Sequence, residues 1–272
     1  MNVEQALAMA LAQGLERLDA TVLLAQHMRC RREWLIAHPS APVDAQVQVA
    51  YASDCRRRAD GVPLAYLTGR REFMGLELHV NPDVLVPRPE TETLAGWAIE
   101  CVRAMPMDLP RPRVIDLGTG SGALALAIAA ACPRADVTAT DCSASALAVA
   151  QGNARRLGLN LHFAQGDWWS AVGNGRFDLA VANPPYVAQG DSHLTSLRHE
   201  PRSALVAAQS GLAALAQVIA GAARHLSGWL LLEHGWNQTE PVQRLLSQAG
   251  FSDVETRADL NGQSRCTGAR LG

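Results

Sequence analysis

The 272-residue chain contains no lysine, so all 24 of its fixed cations are arginines. They stand against 26 acidic residues, for a formal net charge of -2. That near-neutral balance argues against a protein that grips long duplex by bulk electrostatics. It also excludes an acidic or basic disordered tail protein. No two of the six cysteines (Cys30, Cys55, Cys101, Cys132, Cys142, Cys266) form a C-x-x-C pair, so neither a zinc ribbon nor a redox motif is indicated, and no metal site is expected. Glu4 stands early, and no basic segment precedes an apolar run. A signal peptide is therefore not expected, and reduced thiols in the cytoplasm are. Only one uncharged stretch reaches membrane-spanning length, Ser203 to Ala223. It is rich in Ala, Ser, Gly and Gln, and Leu212, Leu215, Val218 and Ile219 recur in it at helical spacing. It reads as an amphipathic helix packed on a protein core, with no membrane association.

What is present is the composition of a globular protein, 48% hydrophobic and 18% charged. The length suits one or two domains with a sizeable core. The first segment reads as short helices. Leu7, Leu11, Leu15 and Leu18 follow a three-to-four spacing, Val22 to Met28 continue it, and Pro39 and Pro42 break the chain before a helix over about Asp44 to Arg58. Phe73, Leu76, Leu78 and Val80 then alternate around a possible turn at Gly75, a hairpin signal. A helix is predicted from Thr91, and Pro106 to Pro112 is a connector. From Arg113 onward strands and helices alternate: strands at Val114-Ile115, Asp136 to Thr140, His162-Phe163, Phe177 to Ala182, Trp229 to Glu233 and from Val254, with helices between them. Such alternation predicts an α/β fold with parallel βαβ units in a doubly wound, Rossmann-like sheet. Ligands of these sheets sit at the carboxyl ends of the strands.

Three motifs fall at those ends. The first is Asp116-Leu117-Gly118-Thr119-Gly120-Ser121-Gly122-Ala123, a buried strand ending in an acid followed by a glycine-rich turn into a helix. Glycines permit positive φ and close approach of a ligand, and a helix N-terminus offers N–H groups to a carboxylate or phosphate. The spacing also satisfies G-x-G-x-x-A, so it does not separate a nicotinamide cofactor from S-adenosylmethionine. The second is Asp141 at the next strand end, a carboxylate able to accept both hydroxyls of a ribose or, alternatively, to cap the following helix. The third is Asn183-Pro184-Pro185-Tyr186, directly after a strand. Prolines stiffen the loop and carry no N–H. The Asn183 side chain and the Pro184 carbonyl can then accept both N–H bonds of a planar –NH2 group, with the Tyr186 ring packed on its face. Gripping both hydrogens directs the nitrogen lone pair at an electrophile, and for an amide that orientation is much of the catalysis.

An Asn-Pro-Pro-Tyr loop in a sheet that opens with Asp-x-Gly-x-Gly-x-Gly resembles class I methyltransferases of planar amino groups, whose substrates are glutamine amides or nucleic-acid bases. Gly69-Arg70-Arg71-Glu72-Phe73, Val86-Pro87-Arg88-Pro89-Glu90-Thr91-Glu92, Glu200-Pro201-Arg202-Ser203-Ala204-Leu205 and Glu233-His234-Gly235 follow in an order that resembles the HemK/PrmC family, the peptide chain release factor glutamine methyltransferases. The resemblance covers nearly the whole chain. It implies an N-terminal helical, substrate-docking bundle (residues 1–68), a β-hairpin linker (69–88) and an S-adenosylmethionine-dependent methyltransferase domain (89–272). The implied substrate is the glutamine of the Gly-Gly-Gln loop of class I release factors, methylated at N5 by a monomer that does not itself bind nucleic acid. Carried over by position, Gly118, Thr119, Gly120, Ser121, Gly122, Asp141, Trp168 and Asn183 line the cofactor. Asn183, Pro184, Pro185 and Tyr186 bind the glutamine, with Asn183, Pro184 and Tyr186 as the catalytic set. The doubled Trp168-Trp169 leaves open which ring flanks the adenine, and Arg88 and Glu90 either close over the cofactor or form a salt-bridged linker.

Rival readings remain on the sequence alone: an adenine-N6 or guanine-N2 nucleic-acid methyltransferase, a dinucleotide oxidoreductase, and a binding protein with a degenerate site. His234 at a strand end could act as a base, though a structural role is the plainer expectation. Arg29, Arg31, Arg32, Arg56, Arg57 and Arg58 crowd the N-terminal region, as a solvated face or as a dock for an acidic partner. Residues 1–110 carry 11 basic and 14 acidic side chains, a net of -3, so any basic patch is local.

Overall fold

The computed structural model describes residues 1–109, 111–208 and 211–271, with the side chain of His193 excepted. Pro110 of the proline-rich connector, Gln209 and Ser210 of the uncharged stretch, and Gly272 lie outside the described residues. The chain divides into two compact units, Met1–Arg70 and Arg71–Gly272.

The first unit is helical: α1 (Val3–Ala12), α2 (Arg17–His27), α3 (Arg32–Ala37), α4 (Ala45–Ala59) and α5 (Leu64–Thr68). A capping box opens α1, with Asn2 Oδ1 accepting from Gln5 N at 2.9 Å and Gln5 Oε1 from Asn2 N at 3.0 Å. Asp44 caps α4 by accepting from Gln46 N. Val3, Ala6, Leu23, Leu24, Leu35 and Tyr51 form the core. Leu11 and Leu18 do not join it; both are exposed. Their spacing spans the break between α1 and α2, which interrupts the helical phase on which a shared face depends. The short helices α3 and α5 carry too few residues to show a period in the sequence.

The second unit opens with a hairpin, β1 (Arg70–Phe73) and β2 (Leu76–His79). Met74 and Gly75 between them both have positive φ, as a tight two-residue turn requires. Phe73 and Leu78 of this hairpin are buried in the same core as Leu94 and Trp97 of α6 (Thr91–Ala104).

A seven-stranded sheet follows: β3 (Arg113–Leu117), β4 (Asp136–Asp141), β5 (His162–Gln165), β6 (Phe177–Ala182), β9 (Leu226–Glu233), β10 (Phe251–Ala258) and β11 (Ser264–Leu271). Its order is β10-β11-β9-β6-β3-β4-β5. The five strands from β5 to β9 are parallel, whereas β11 is antiparallel to both β9 and β10. The doubly wound parallel expectation therefore fails at one edge. Only a short turn separates Ala258 from Ser264, too short for a crossover, so those strands must run antiparallel. The helices α7 (Ala123–Ala131), α8 (Ala144–Leu157), α9 (Ala213–His225) and α10 (Thr239–Gln248) connect the strands. Two apolar clusters cover the sheet, one containing Leu126, Val137 and Leu179, the other Ile115, Leu215 and Leu230.

Among the described residues of the uncharged Ser203–Ala223 stretch, the α-helix covers only those from Ala213 onward. The first part of the stretch holds a 3₁₀ turn (Arg202–Ala204) and β8 (Val206–Ala207), which pairs in parallel with β7 (Val187–Ala188). Among the described residues no helix is long and apolar enough to cross a membrane.

Candidate active site

The chain runs from β3 to β4 and β5 on one side, then from β6 to β9 on the other. The sheet reverses its winding between β3 and β6, and a crevice opens there at the carboxyl ends. Strand register decides what meets in it. Leu117 pairs with Thr140 and with Ala182, and Ala182 pairs with Leu232. The next residues along, Asp141, Gly118, Asn183 and Glu233, therefore emerge side by side from four adjacent strands. A cavity at this end is lined by Gly118, Thr119, Gly120, Ser121, Asp141, Trp168, Asn183 and Pro185, together with Arg88 and Thr91.

The glycine turn is built from below. Gly118 N and Thr119 N both donate to Thr140 O, at 2.9 and 2.8 Å. Asp116, fully buried, accepts from Thr119 Oγ1 at 2.6 Å and from Ala125 N at 3.2 Å, both on Oδ2. One N–H of the first turn of α7 is thus satisfied from inside the protein and is not offered to a ligand. Burial pushes the Asp116 carboxyl up to about 7, against the pull of those two hydrogen bonds. The folded protein holds a proton there that the unfolded chain releases near pH 4. That contribution to stability is complete below pH 4 and is lost as the pH rises toward 7. Asp116→Asn is expected to flatten the fall in stability between pH 5 and 8 by roughly 3 kcal/mol. Denaturant titrations across that range check this, and parallel pH profiles for both proteins would refute it.

Gly122 does not line the cavity. It begins α7 at φ 86°, and a Cβ there would lie 2.9 Å from Leu126 Cδ1 and 3.2 Å from Ala150 Cβ. Its requirement is close packing of α7 on α8. The Asp141 carboxylate lies at the cavity wall, with Oδ2 accepting from Gly120 N and Oδ1 from Ser143 N, each at 2.9 Å. It does not cap α8; Ser143 does, by accepting from Ala146 N. Each Asp141 oxygen keeps a lone pair for a hydroxyl.

The two tryptophans separate cleanly. Trp168, at φ 47°, opens a 3₁₀ turn, lines the cavity and donates from Nε1 to Gln217 Oε1 at 3.0 Å. Trp169 is buried, donates to Val218 O at 2.8 Å and stacks on His225.

Asn183 donates from Nδ2 to Thr91 Oγ1 at 3.2 Å. Its Oδ1 remains an acceptor. Pro184 is buried, and neither Pro184 nor Tyr186 lines the cavity; only Asn183 and Pro185 of that loop do. The Tyr186 hydroxyl donates to Glu233 Oε1 at 3.3 Å, and Gln238 Nε2 donates to Tyr186 O at 3.1 Å. Burial raises the Tyr186 hydroxyl well above its ordinary value, with the nearby Glu233 charge adding to it. Burial likewise pushes Glu233 up to about 7, moderated by the hydroxyls of Thr91 and Tyr186.

Arg88 is ion-paired with the buried Glu200, whose other oxygen accepts from Val86 N at 3.1 Å, so Arg88 is a salt-bridged member of the wall. His234 is fully buried. Nδ1 bonds Gly235 O at 2.9 Å, Nε2 bonds Thr267 Oγ1 at 2.7 Å, and burial lowers its pKa. Both ring nitrogens are committed, so it has the structural role.

Four residues that hold the site escaped the sequence reading. Thr91 and Glu233 lie in quoted motifs but had no role. Asn153, wholly buried, donates to Ser121 O and His79 O and accepts from His79 N, tying the hairpin to the glycine turn. Gly211 packs on the Tyr186 carbonyl. No periodicity or local motif marks these last two.

The winding, the glycine turn and an acid at the second strand end define a Rossmann-like nucleoside-cofactor site, and the Asn183-Pro184-Pro185-Tyr186 loop after the fourth strand makes it that of a class I methyltransferase. S-adenosylmethionine is the methyl donor of that class, and the cavity fits it. A carboxylate stands ready for vicinal hydroxyls, an indole lies beside it, and a Cβ at Gly118 would fill the gap to the Trp168 ring at 3.2 Å. Residues 101–244 match the methyltransferase small domain family, and residues 3–69 match the PrmC N-terminal domain family. The release factor glutamine methyltransferase of Bordetella pertussis is 48% identical over 95% of this chain and 96% of its own. That of Burkholderia pseudomallei is 45% identical over 96% and 94%. The hMettl16 catalytic domain in complex with MAT2A 3'UTR hairpin 1 superimposes with a TM-score of 0.60 at 14% identity over 88% and 85%, a likeness of fold alone. The chain belongs to the release factor glutamine methyltransferase family.

Proposed function

We propose that the protein transfers a methyl group from S-adenosylmethionine to the side-chain amide nitrogen of the Gly-Gly-Gln glutamine in class I peptide chain release factors. The product is N5-methylglutamine, and the event modulates translation termination. The observation that carries the reading is Asn183: its Nδ2 is engaged by Thr91, so Oδ1 is the acceptor left at the wall shared with Gly118 and Asp141. Oδ1 accepts one N–H of the glutamine amide; the family resemblance assigns the other to the Pro184 carbonyl, which stands behind the cavity wall and would have to be reached by the seated amide. Both hydrogens are thereby held in the amide plane, and the nitrogen lone pair is directed across the cavity. The bound cofactor supplies a sulfonium methyl. With that group in place the S–C bond would break as the N–C bond formed, and the amide nitrogen would give up one proton to solvent. Asp141 would hold the cofactor's ribose hydroxyls and Trp168 would pack on its adenine. Pro185 bounds the amide, and Tyr186 stiffens the loop from behind through Glu233.

The first unit is the dock for the release factor, with the hairpin linking it to the catalytic unit. Its exposed Arg29, Arg31, Arg32, Arg56 and Arg57, together with exposed Trp34, Ile36 and Val49, support that reading. The enzyme works in the cytoplasm as a monomer and needs no nucleic-acid surface of its own. The full-length similarity to enzymes named for release factors favours this over base methylation.

Asp141→Ala is expected to raise the Kd for S-adenosylmethionine about 10- to 100-fold by removing charge-assisted acceptors of two hydroxyls. Isothermal titration measures it; unchanged affinity means the ribose is held elsewhere. The activity itself is tested with methyl-labelled S-adenosylmethionine, unmethylated release factor and total nucleic acid in parallel. Label in the release factor, lost when its Gly-Gly-Gln glutamine is replaced, is the expected outcome. Label only in nucleic acid overturns the substrate and leaves the cofactor standing.

A further inference from the structure

Thr91 is the first residue of α6 and is 4% exposed, yet its hydroxyl reaches the catalytic loop 92 positions away. A hydroxyl has one hydrogen to give and lone pairs to receive with. Thr91 Oγ1 receives the Nδ2 hydrogen of Asn183. Its own hydrogen can turn toward the buried carboxyl of Glu233 at the end of β9, whose charged form the Thr91 hydroxyl favours. The same carboxyl receives the Tyr186 hydroxyl on Oε1, while Oε2 has no hydrogen-bond partner among the described residues. One buried acid thus holds the Tyr186 end of the loop by a hydrogen bond and lies near the Thr91 hydroxyl that meets its Asn183 end.

A carboxamide is nearly symmetrical in shape and opposite in polarity at its two ends. Turned over, Asn183 would aim an –NH2 group at the –NH2 group it must grip. Nothing in its shape prevents that; a hydroxyl whose hydrogen is turned elsewhere, and which therefore presents only lone pairs to Asn183, does. We propose that Thr91 is a positioning residue for methyl transfer, with Glu233 behind it: its hydroxyl fixes Asn183 with the amide oxygen toward the reacting nitrogen. The inference rests on the reading that Asn183 grips a planar amide or amine. It holds whichever macromolecule carries that group.

The test compares Thr91→Val, which keeps the shape and removes the hydroxyl, with Thr91→Ser, which keeps the hydroxyl. Steady-state kinetics use labelled S-adenosylmethionine and whichever substrate the wild-type protein labels, release factor or nucleic acid. Thr91→Val is expected to lower kcat about 10- to 100-fold, with cofactor Kd and substrate KM little changed. Thr91→Ser is expected to restore most of the rate. In an Asn183→Ala background, Thr91→Val is expected to cost nothing further, because the group it positions is gone. Wild-type kcat for Thr91→Val overturns the proposal, as does an additive loss in the double variant. If Thr91→Val does not fold, Thr91→Ala carries the same comparison. Label in nucleic acid rather than release factor removes the substrate reading alone, since the Thr91 comparison is then made on that substrate.

Discussion

Replacing Asn183 by alanine is expected to slow methyl transfer by about 10²- to 10³-fold, the scale seen when one preorganised polar group is removed from a reacting centre. Cofactor affinity is expected to fall far less. The distinction follows from geometry. Asn183 stands at the strand end between Gly118 and Glu233, one strand further from Asp141 than Gly118 is. Its oxygen is the acceptor that Thr91 leaves available. Losing it removes orientation of the attacking nitrogen and leaves the ribose and adenine contacts in place. Single-turnover rates with saturating cofactor, alongside binding titrations, separate the two. Equal losses in rate and affinity would show that Asn183 serves the cofactor and not the amide.

Gly211→Ala is expected to damage both stability and rate, although residue 211 lies in none of the motifs. Gly211 has φ 88°, and a Cβ there would lie 2.1 Å from Tyr186 O and 2.6 Å from Gln238 Nε2. The first of those atoms is backbone, so no rotamer relieves the clash. Gln238 Nε2 already donates to that same carbonyl at 3.1 Å. Strained φ together with the overlap costs on the order of 3 kcal/mol or more. What moves to relieve it is the loop carrying Asn183, and a shift of about 1 Å in a reacting group costs on the order of 100-fold in rate. A thermal melt with steady-state kinetics on the surviving folded protein checks both. A wild-type melting temperature and rate would mean that the Tyr186 backbone yields without consequence for the loop.

The catalytic strand ends were legible in the sequence because each is a local pattern. A buried run followed by glycines, or by Asn-Pro-Pro-Tyr, dictates its own backbone through short-range sterics. The helical N-terminal segment was legible for the same reason, where its periodicity was unbroken. Leu11 and Leu18 misled because a turn between α1 and α2 resets the phase. The antiparallel edge was not legible, since alternation of strands and helices says nothing about a final hairpin. Within the motifs themselves, local pattern did not say which residues face the cavity. Gly122 serves packing against Leu126 and Ala150, and Pro184 and Tyr186 lie away from the cavity wall.

The sequence by itself therefore determined the α/β alternation, the glycine turn, the acid at Asp141 and the proline-stiffened loop that starts at Asn183. Each depends on residues within a few positions of one another. Only the tertiary structure decided that Trp168 meets the cavity while its neighbour Trp169 enters the core, a division set by the positive φ at Trp168. Only the tertiary structure brought Thr91 to Asn183 across 92 positions and Tyr186 to Glu233 across 47. The physical reason is the same for each. Backbone conformation follows from local sterics, but convergence of side chains follows from strand register and helix packing, which join segments that share no local signal.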